Sequence, residues 1–312
     1  MSDWTPGEIE VVTAAVDAAP SVHNTQPWRL DFHRDGVHGV SLLQRADRAL
    51  PRHDPLGRDR LISCGAALEN LVLAMRTLGW VPRTLPADPQ HADEVAHVVA
   101  TDRQPPSDED SARYAAIPSR RTCRRPFADV QVDAAVRDAL VTASDITGVE
   151  VRALHGERAM AVLAGLFEHA ALVLKADRAY QRELSAWTVT GPVPSPGEGV
   201  ADVPARLATL PWAGLVRRST ALPDQVTLAA RLGRECLLVV ETPDDGPRDQ
   251  VRTGMAMQAT WLAATASGLV GSVLTQPLQV REVRAGLIEG LGLAGFPQAL
   301  MRFGHDSKEE PS

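Results

Sequence analysis

Residues Gly57–Trp80 read GRDRLISCGAALENLVLAMRTLGW, and Pro247–Leu269 read PRDQVRTGMAMQATWLAATASGL. In the first stretch Leu68, Leu71, Val72 and Met75 recur at i, i+3, i+4 and i+7, the spacing of one face of an α-helix. The second is so rich in Ala and large apolar residues that it predicts a helix buried all round. Each ends at a glycine, Gly79 and Gly268, where a helix stops. Superposed, Gly65, Ala67, Leu73, Ala74 and Gly79 coincide with Gly254, Ala256, Leu262, Ala263 and Gly268 at a constant offset. Glu69 and Asn70 interrupt the apolar surface of the first helix, as a buried polar pair or a helix edge.

The surroundings of the two helices also correspond. EIEVVTAAVDAA (Glu8–Ala19) is helical in pattern and leads through a polar loop to the strand-like WRLDF and GVSLLQR. DAAVRDALVTAS (Asp133–Ser144) leads through a short loop to VEVRAL and then, later, to ECLLVVET. A repeated unit of helices and strands predicts an α+β fold of two tandem half-domains, residues 1–110 and 111–312, joined within TDRQPPSDEDSAR. Residues 187–222, containing TGPVPSPGEGVADVP, have no counterpart in the first half and read as a lid-like excursion, since irregular segments of that length are often lids or binding loops.

Composition narrows the function classes. The chain has 312 residues, 44% hydrophobic and 23% charged, with a net charge of −7. That balance disfavours nucleic acid and anionic membrane surfaces. No apolar run approaches the roughly 20 residues of a membrane span, and the N-terminus lacks the basic and apolar regions of a secretory leader. Cys64, Cys123 and Cys236 are too scattered for a disulfide framework or a zinc site, which suits a reduced, cytoplasmic protein without a structural metal. The G-x-G-x-x-G match at Gly290, Gly292 and Gly295 follows a helical pattern rather than a strand and reads as a turn.

Two polar clusters remain. PSVHNTQPW (Pro20–Trp28) crowds hydrogen-bonding side chains between prolines, and SRRTCRRPF (Ser119–Phe127) holds four arginines with Thr122 among them. Arginine forks suit phosphate oxygens, which a hydroxyl can help to cradle, although such a run also suits a solvated basic patch. The first cluster resembles the P-S-x-x-N-x-Q-P-W loop of FMN-dependent nitroreductases, and the second resembles the R-R-S-x-R phosphate motif of the same family. GLVGSVL (Gly268–Leu274) fits the family pattern as well. With one motif in each half, the chain resembles the fused, tandem-domain Acg-like NAD(P)H nitroreductases of actinobacteria.

The resemblance implies a nitroreductase-like fold whose two halves mimic the family homodimer, so that a monomer suffices and one FMN binds per chain. It implies that Arg120, Thr122 and Arg124 hold the phosphate, that Pro20, Ser21, Val22 and Asn24 border the ring and ribityl chain, and that Gln26 supports the loop. Thr275 and Gln276 would face the N5/O4 edge of the flavin. Arg302 would stand in for a basic C-terminal ligand found in relatives, Trp28 would pack in the core, and His23 would face solvent or brace the loop. No side chain need be a nucleophile, since the flavin carries the chemistry. NADH or NADPH would then reduce a nitroaromatic, quinone or other small acceptor. The alternatives are a protein that sequesters FMN beneath its lid and a flavin-dependent oxidase or dehydrogenase of secondary metabolism.

Overall fold

In the computed structural model, residues 4–33, 38–87, 91–189, 200–201 and 216–307 are described. The chain opens with α1 (Pro6–Asp17), β1 (Trp28–Phe32), β2 (Gly39–Gln44), α2 (Arg58–Thr77), β3 (Trp80–Pro86) and β4 (Glu94–Arg103). The helix begins where Thr5 and Glu8 satisfy each other's backbone N–H groups in a capping box. The strands form an antiparallel sheet in the order β1-β2-β4-β3. After α3 (Asp108–Ala116) the same plan recurs with α4 (Ala134–Val141) and β5 (Glu150–Leu154). Then come α5 (Glu157–Ala176), α6 (Arg178–Ala186), the short parallel pair β6 (Thr188–Val189) and β7 (Val200–Ala201), and α7 (Gln225–Leu232). The plan resumes with β8 (Cys236–Thr242), α8 (Pro247–Ala266), β9 (Val270–Leu274), α9 (Arg281–Leu291) and β10 (Phe296–Gly304).

The second sheet is antiparallel in the order β5-β8-β10-β9. Both sheets therefore place their first, second, fourth and third strands in that succession, with a 20-residue helix between the second and third. The fold is α+β. The expected join at 110/111 falls inside α3. Of residues 187–222, only 187–189, 200–201 and 216–222 are described, so most of the expected lid lies outside the described residues.

α2 and α8 pack face to face, and their matched glycines explain how closely. A Cβ on Gly65 would lie 2.0 Å from the Val251 carbonyl oxygen, and one on Gly254 would lie 2.0 Å from that of Ile62. Only glycine permits that approach. Around the crossing, residues of both halves merge into one core that includes Leu68, Leu71, Met75, Met257, Trp261 and Leu262. Glu69 and Asn70 prove to be buried: the Asn70 amide donates to the Ala15 carbonyl (2.7 Å) and accepts from Gln258 (2.8 Å), stitching α2 to α1 and to α8.

A second core lies under α5, α7 and α9, with Leu163, Phe167, Leu228 and Leu287. α5 is interrupted by Glu168, His169 and Lys175, so it holds no unbroken apolar run. It is nonetheless 20 residues long, and its most apolar 18-residue stretch has a mean hydropathy of 1.6, enough by length and composition to cross a membrane. Its Met160, Leu163, Ala164, Phe167, Ala170, Ala171 and Leu174 are buried against α7 and α9, while Leu172 and Val173 are exposed. Gly292, at φ +60°, ends α9 in the left-handed conformation, so the G-x-G-x-x-G match is the turn into β10.

Candidate functional site

The loop after α1 is held in an unusual backbone conformation. His23, Asn24 and Gln26 all have positive φ, at 47°, 53° and 45°, and none is glycine. Such geometry is costly for side chains and persists where surrounding contacts enforce it. Here the Ser21 hydroxyl accepts from the Gln26 N–H (3.0 Å), and the Thr25 hydroxyl donates to the Val22 carbonyl (2.9 Å). The Val22 N–H donates to the Ser63 hydroxyl of α2 (3.1 Å), and the Gln26 amide donates to the Asp17 carbonyl (3.1 Å). Trp28 is buried, as expected.

The arginine-rich segment meets the site from the other half. Thr122 pairs with Gly271 in a parallel bridge, and the Cys123 N–H donates to the Gly271 carbonyl (2.8 Å), so the segment runs along the exposed edge of β9. β9 then delivers Thr275 and Gln276 at its end. Pro20, Ser21, Val22, Thr122, Arg124, Thr275 and Gln276, far apart in sequence, thus line one cavity.

Three expected residues sit elsewhere. Asn24 and Gln26 are in the loop without lining the cavity. Arg120 lies behind it, its guanidinium 4.7 Å from the ring centroid of Trp261, which does line it. Two other expectations change. His23 does not face solvent; it is buried and lines the cavity. Arg302 is wholly buried in a two-pronged pair with Glu235, at 2.7 Å on each side, so its guanidinium is already engaged.

Electrostatics single out the same place. Burial, with the neighbouring Arg121 and Arg124, lowers Arg120 to about 10, and burial lowers Arg124 to about 10. Both remain cationic at neutral pH. Nε and Nη1 of Arg120, Nε of Arg124, and both amide atoms of Gln276 are buried without a hydrogen-bond partner. Buried donors left in that state are costly, and these lie in or just behind the cavity wall. Cys64 and Cys236 contribute no nucleophile of note: burial pushes Cys64 up to about 12 and Cys236 up to about 11.

Sequence reasoning missed a further wall. His53, Asp59, Ile62, Ser63, Met257 and Trp261 also line the cavity. Met257 and Trp261 stand at i and i+4 on α8 and were legible only as part of an all-apolar helix. Asp59, on the first turn of α2, accepts from the Thr275 hydroxyl (2.6 Å) and the His53 ring Nε2 (3.2 Å), and lies 3.4 Å from Arg58. Burial pushes its carboxyl up, but these partners outweigh that and hold it down at about 2. Burial, together with His53 and Arg124, pushes His23 well below its ordinary value.

No family model matches the sequence. Several proteins of Mycobacterium tuberculosis do. The chain is 35% identical to "Putative NAD(P)H nitroreductase Rv3131" of strain H37Rv, covering 94% of this chain and 83% of that protein. It is 30% identical to "Putative NAD(P)H nitroreductase acg" of the same strain, covering 97% and 91%. Among solved structures, a nitroreductase with bound FMN from Bacteroides fragilis aligns at a TM-score of 0.41 and 15% identity, over 64% of this chain and 91% of that one. By its identity to these relatives across almost its whole length, the chain belongs to the NAD(P)H nitroreductase family.

Proposed function

We propose that the protein is an FMN-dependent NAD(P)H oxidoreductase acting on a small acceptor such as a nitroaromatic or a quinone. The observation that carries this reading is the set of unpartnered, buried donors of Arg120, Arg124 and Gln276 around a cavity that also takes in the Pro20–Val22 loop. Arg124 and Thr122, with Arg120 behind them, would hold a phosphate, to which arginine forks are matched. Pro20, Ser21 and Val22 would lie along the flavin, with Asn24 and Gln26 setting the shape of their loop. Thr275 and Gln276 would meet its polar edge. Bound there, FMN would supply two-electron chemistry between a nicotinamide and the acceptor. The chain's own part is to fix the cofactor, shield it with Met257 and Trp261, and present donors and acceptors to the second substrate.

The relatives named as NAD(P)H nitroreductases support the donor assignment. Membership of the NAD(P)H nitroreductase family and a protein-lined cavity support a small-molecule substrate. The two halves support a site built from one chain.

The test is reconstitution. Purified protein incubated with FMN should turn yellow with one FMN per chain, and anaerobic NADH or NADPH should bleach it. Protein that takes up no flavin overturns the reading. Flavin that binds and stays oxidised with either nicotinamide turns it into sequestration. Arg120→Ala with Arg124→Ala should remove most FMN retention, and unchanged flavin content in the double variant would refute the phosphate cradle.

A further inference from the structure

The cavity wall contributed by the first half carries a polar assembly that cofactor binding does not account for. His53 lies in the segment between β2 and α2, and its main-chain N–H donates to the Glu183 carboxylate of α6 (2.6 Å). Its ring is 3% exposed and stands between two others, 4.4 Å by centroids from His23 and 5.9 Å from Tyr180. Nε2 of His53 faces Asp59 Oδ2 at 3.2 Å. Because Asp59 is ionised and can only accept, that nitrogen must carry the hydrogen, which leaves Nδ1 as the free acceptor of the neutral ring. Nδ1 is indeed buried without a partner, as is Nε2 of His23. Asp59 is itself oriented by Thr275, which carries the site's other half.

A purely structural histidine would be expected to satisfy both ring nitrogens once buried, because an orphaned one costs as much as a lost hydrogen bond. Two adjacent imidazoles each leave one open, and both line the cavity. A carboxylate-held imidazole with a free nitrogen is the arrangement that moves protons in general acid and base catalysis.

We propose that His53, positioned by Asp59, hands a proton to the oxygen of a quinone-type acceptor as it is reduced, with His23 completing the pair that faces it. This rests on the oxidoreductase reading above. The overall balance requires such a group: NAD(P)H, a quinone and one proton give NAD(P)⁺ and the hydroquinone. The nicotinamide supplies two electrons and one hydrogen nucleus, so the second O–H bond takes its proton from outside. That proton leaves Nδ1 of the protonated ring, the quinone oxygen accepts it, and the neutral imidazole regains one from solvent. Asp59 stays ionised throughout and stabilises the charged ring.

The test compares acceptors that differ in their need for protons. Protein reconstituted with FMN and reduced anaerobically with NADPH is mixed with 1,4-benzoquinone, which takes electrons and protons, or with ferricyanide, which takes electrons alone. In His53→Gln the ratio of quinone rate to ferricyanide rate should fall by about 100-fold, the scale of a lost general acid. Asp59→Asn should lower the same ratio by about tenfold or more through the misplaced imidazole. A ratio unchanged in both variants, with the two rates falling together, overturns the proposal and leaves the flavin reading standing; wild-type protein that takes up no FMN overturns both. A second readout needs no cofactor. Long-range ¹H–¹⁵N correlation spectra of the flavin-free protein should show the neutral His53 ring in the Nε2–H form, lost in Asp59→Asn, and a neutral wild-type ring carrying its hydrogen on Nδ1 alone would overturn the assignment.

Discussion

Glu69 shows how a single buried group leaves a measurable imprint. It sits on α2 with its side chain enclosed, and burial raises its carboxyl to about 7, with Arg76 and Arg113 opposing and Asp145 and Asp110 reinforcing the shift. The folded value lies above the ordinary 4.5, so the folded chain keeps a proton that the unfolded chain releases. Stability therefore falls as pH rises from about 4.5 to about 7 and levels off above. Glu69→Gln keeps the shape and removes the titration. Urea unfolding should find the variant more stable than wild type at pH 8, by up to roughly 3 kcal/mol, and equal to it at pH 4. A gain of the same size at both pH values would mean that the titration of Glu69 is not its source. Asp59 behaves in the opposite sense. Its depressed carboxyl contributes stability above about 3.8, which is lost as pH falls toward 2.

At the scale of elements, the α2–α8 crossing is the joint on which the architecture turns. Gly254→Ala forces a methyl to within 2.0 Å of the Ile62 carbonyl and 2.8 Å of the Ala66 nitrogen, backbone atoms that cannot swing aside. The helices must separate, and the expected loss is about 2 kcal/mol or more by chemical denaturation. Gly7→Ala on α1 is the control, since a Cβ there meets nothing within 4 Å; it should be neutral or slightly stabilising. Equal losses in the two variants would remove the close-approach argument. These glycines were legible in sequence as a coincidence between two helices, and β1, β2, β5 and β8 as short strand-like segments, β1 by its alternation and β8 by its apolar run. β10 was not. It is buried along almost its whole length between β8 and β9, yet it includes Pro297, Gln298 and Arg302, which break any apolar alternation. Those polar groups are satisfied by distant partners: Gln298 by Arg58, Thr242 and Asp245, and Arg302 by Glu235. The same limit hid half the cavity. Motif spacing marked the Pro20 loop and the Arg120 segment, whereas His53 and Asp59 acquire meaning only through Thr275, more than 200 residues away.

At the scale of the molecule, the two halves share a plan, and the cavity draws residues from both. Arg120 reaches the Ala18 carbonyl at the end of α1, where the cavity opens beside it. In the mirrored place Arg113, on α3, reaches the Ala143 carbonyl just past α4. There α3 packs against both α2 and α8, next to the buried Glu69. Among the described residues, the cavity takes the Pro20–His23 loop from the first half and Thr122 and Arg124 from the second. The consequence is quantitative. FMN should bind at one per chain, and its dissociation constant should stay the same when protein is titrated at nanomolar or micromolar concentration. A site shared between two chains behaves otherwise, because dilution below the dimer's own dissociation constant dismantles it and weakens apparent affinity. Fluorescence titration at several protein concentrations, with sedimentation at each, separates the cases. A stoichiometry of two, or an affinity that weakens as the protein is diluted, would show that a second chain is needed and that the fused halves do not replace one.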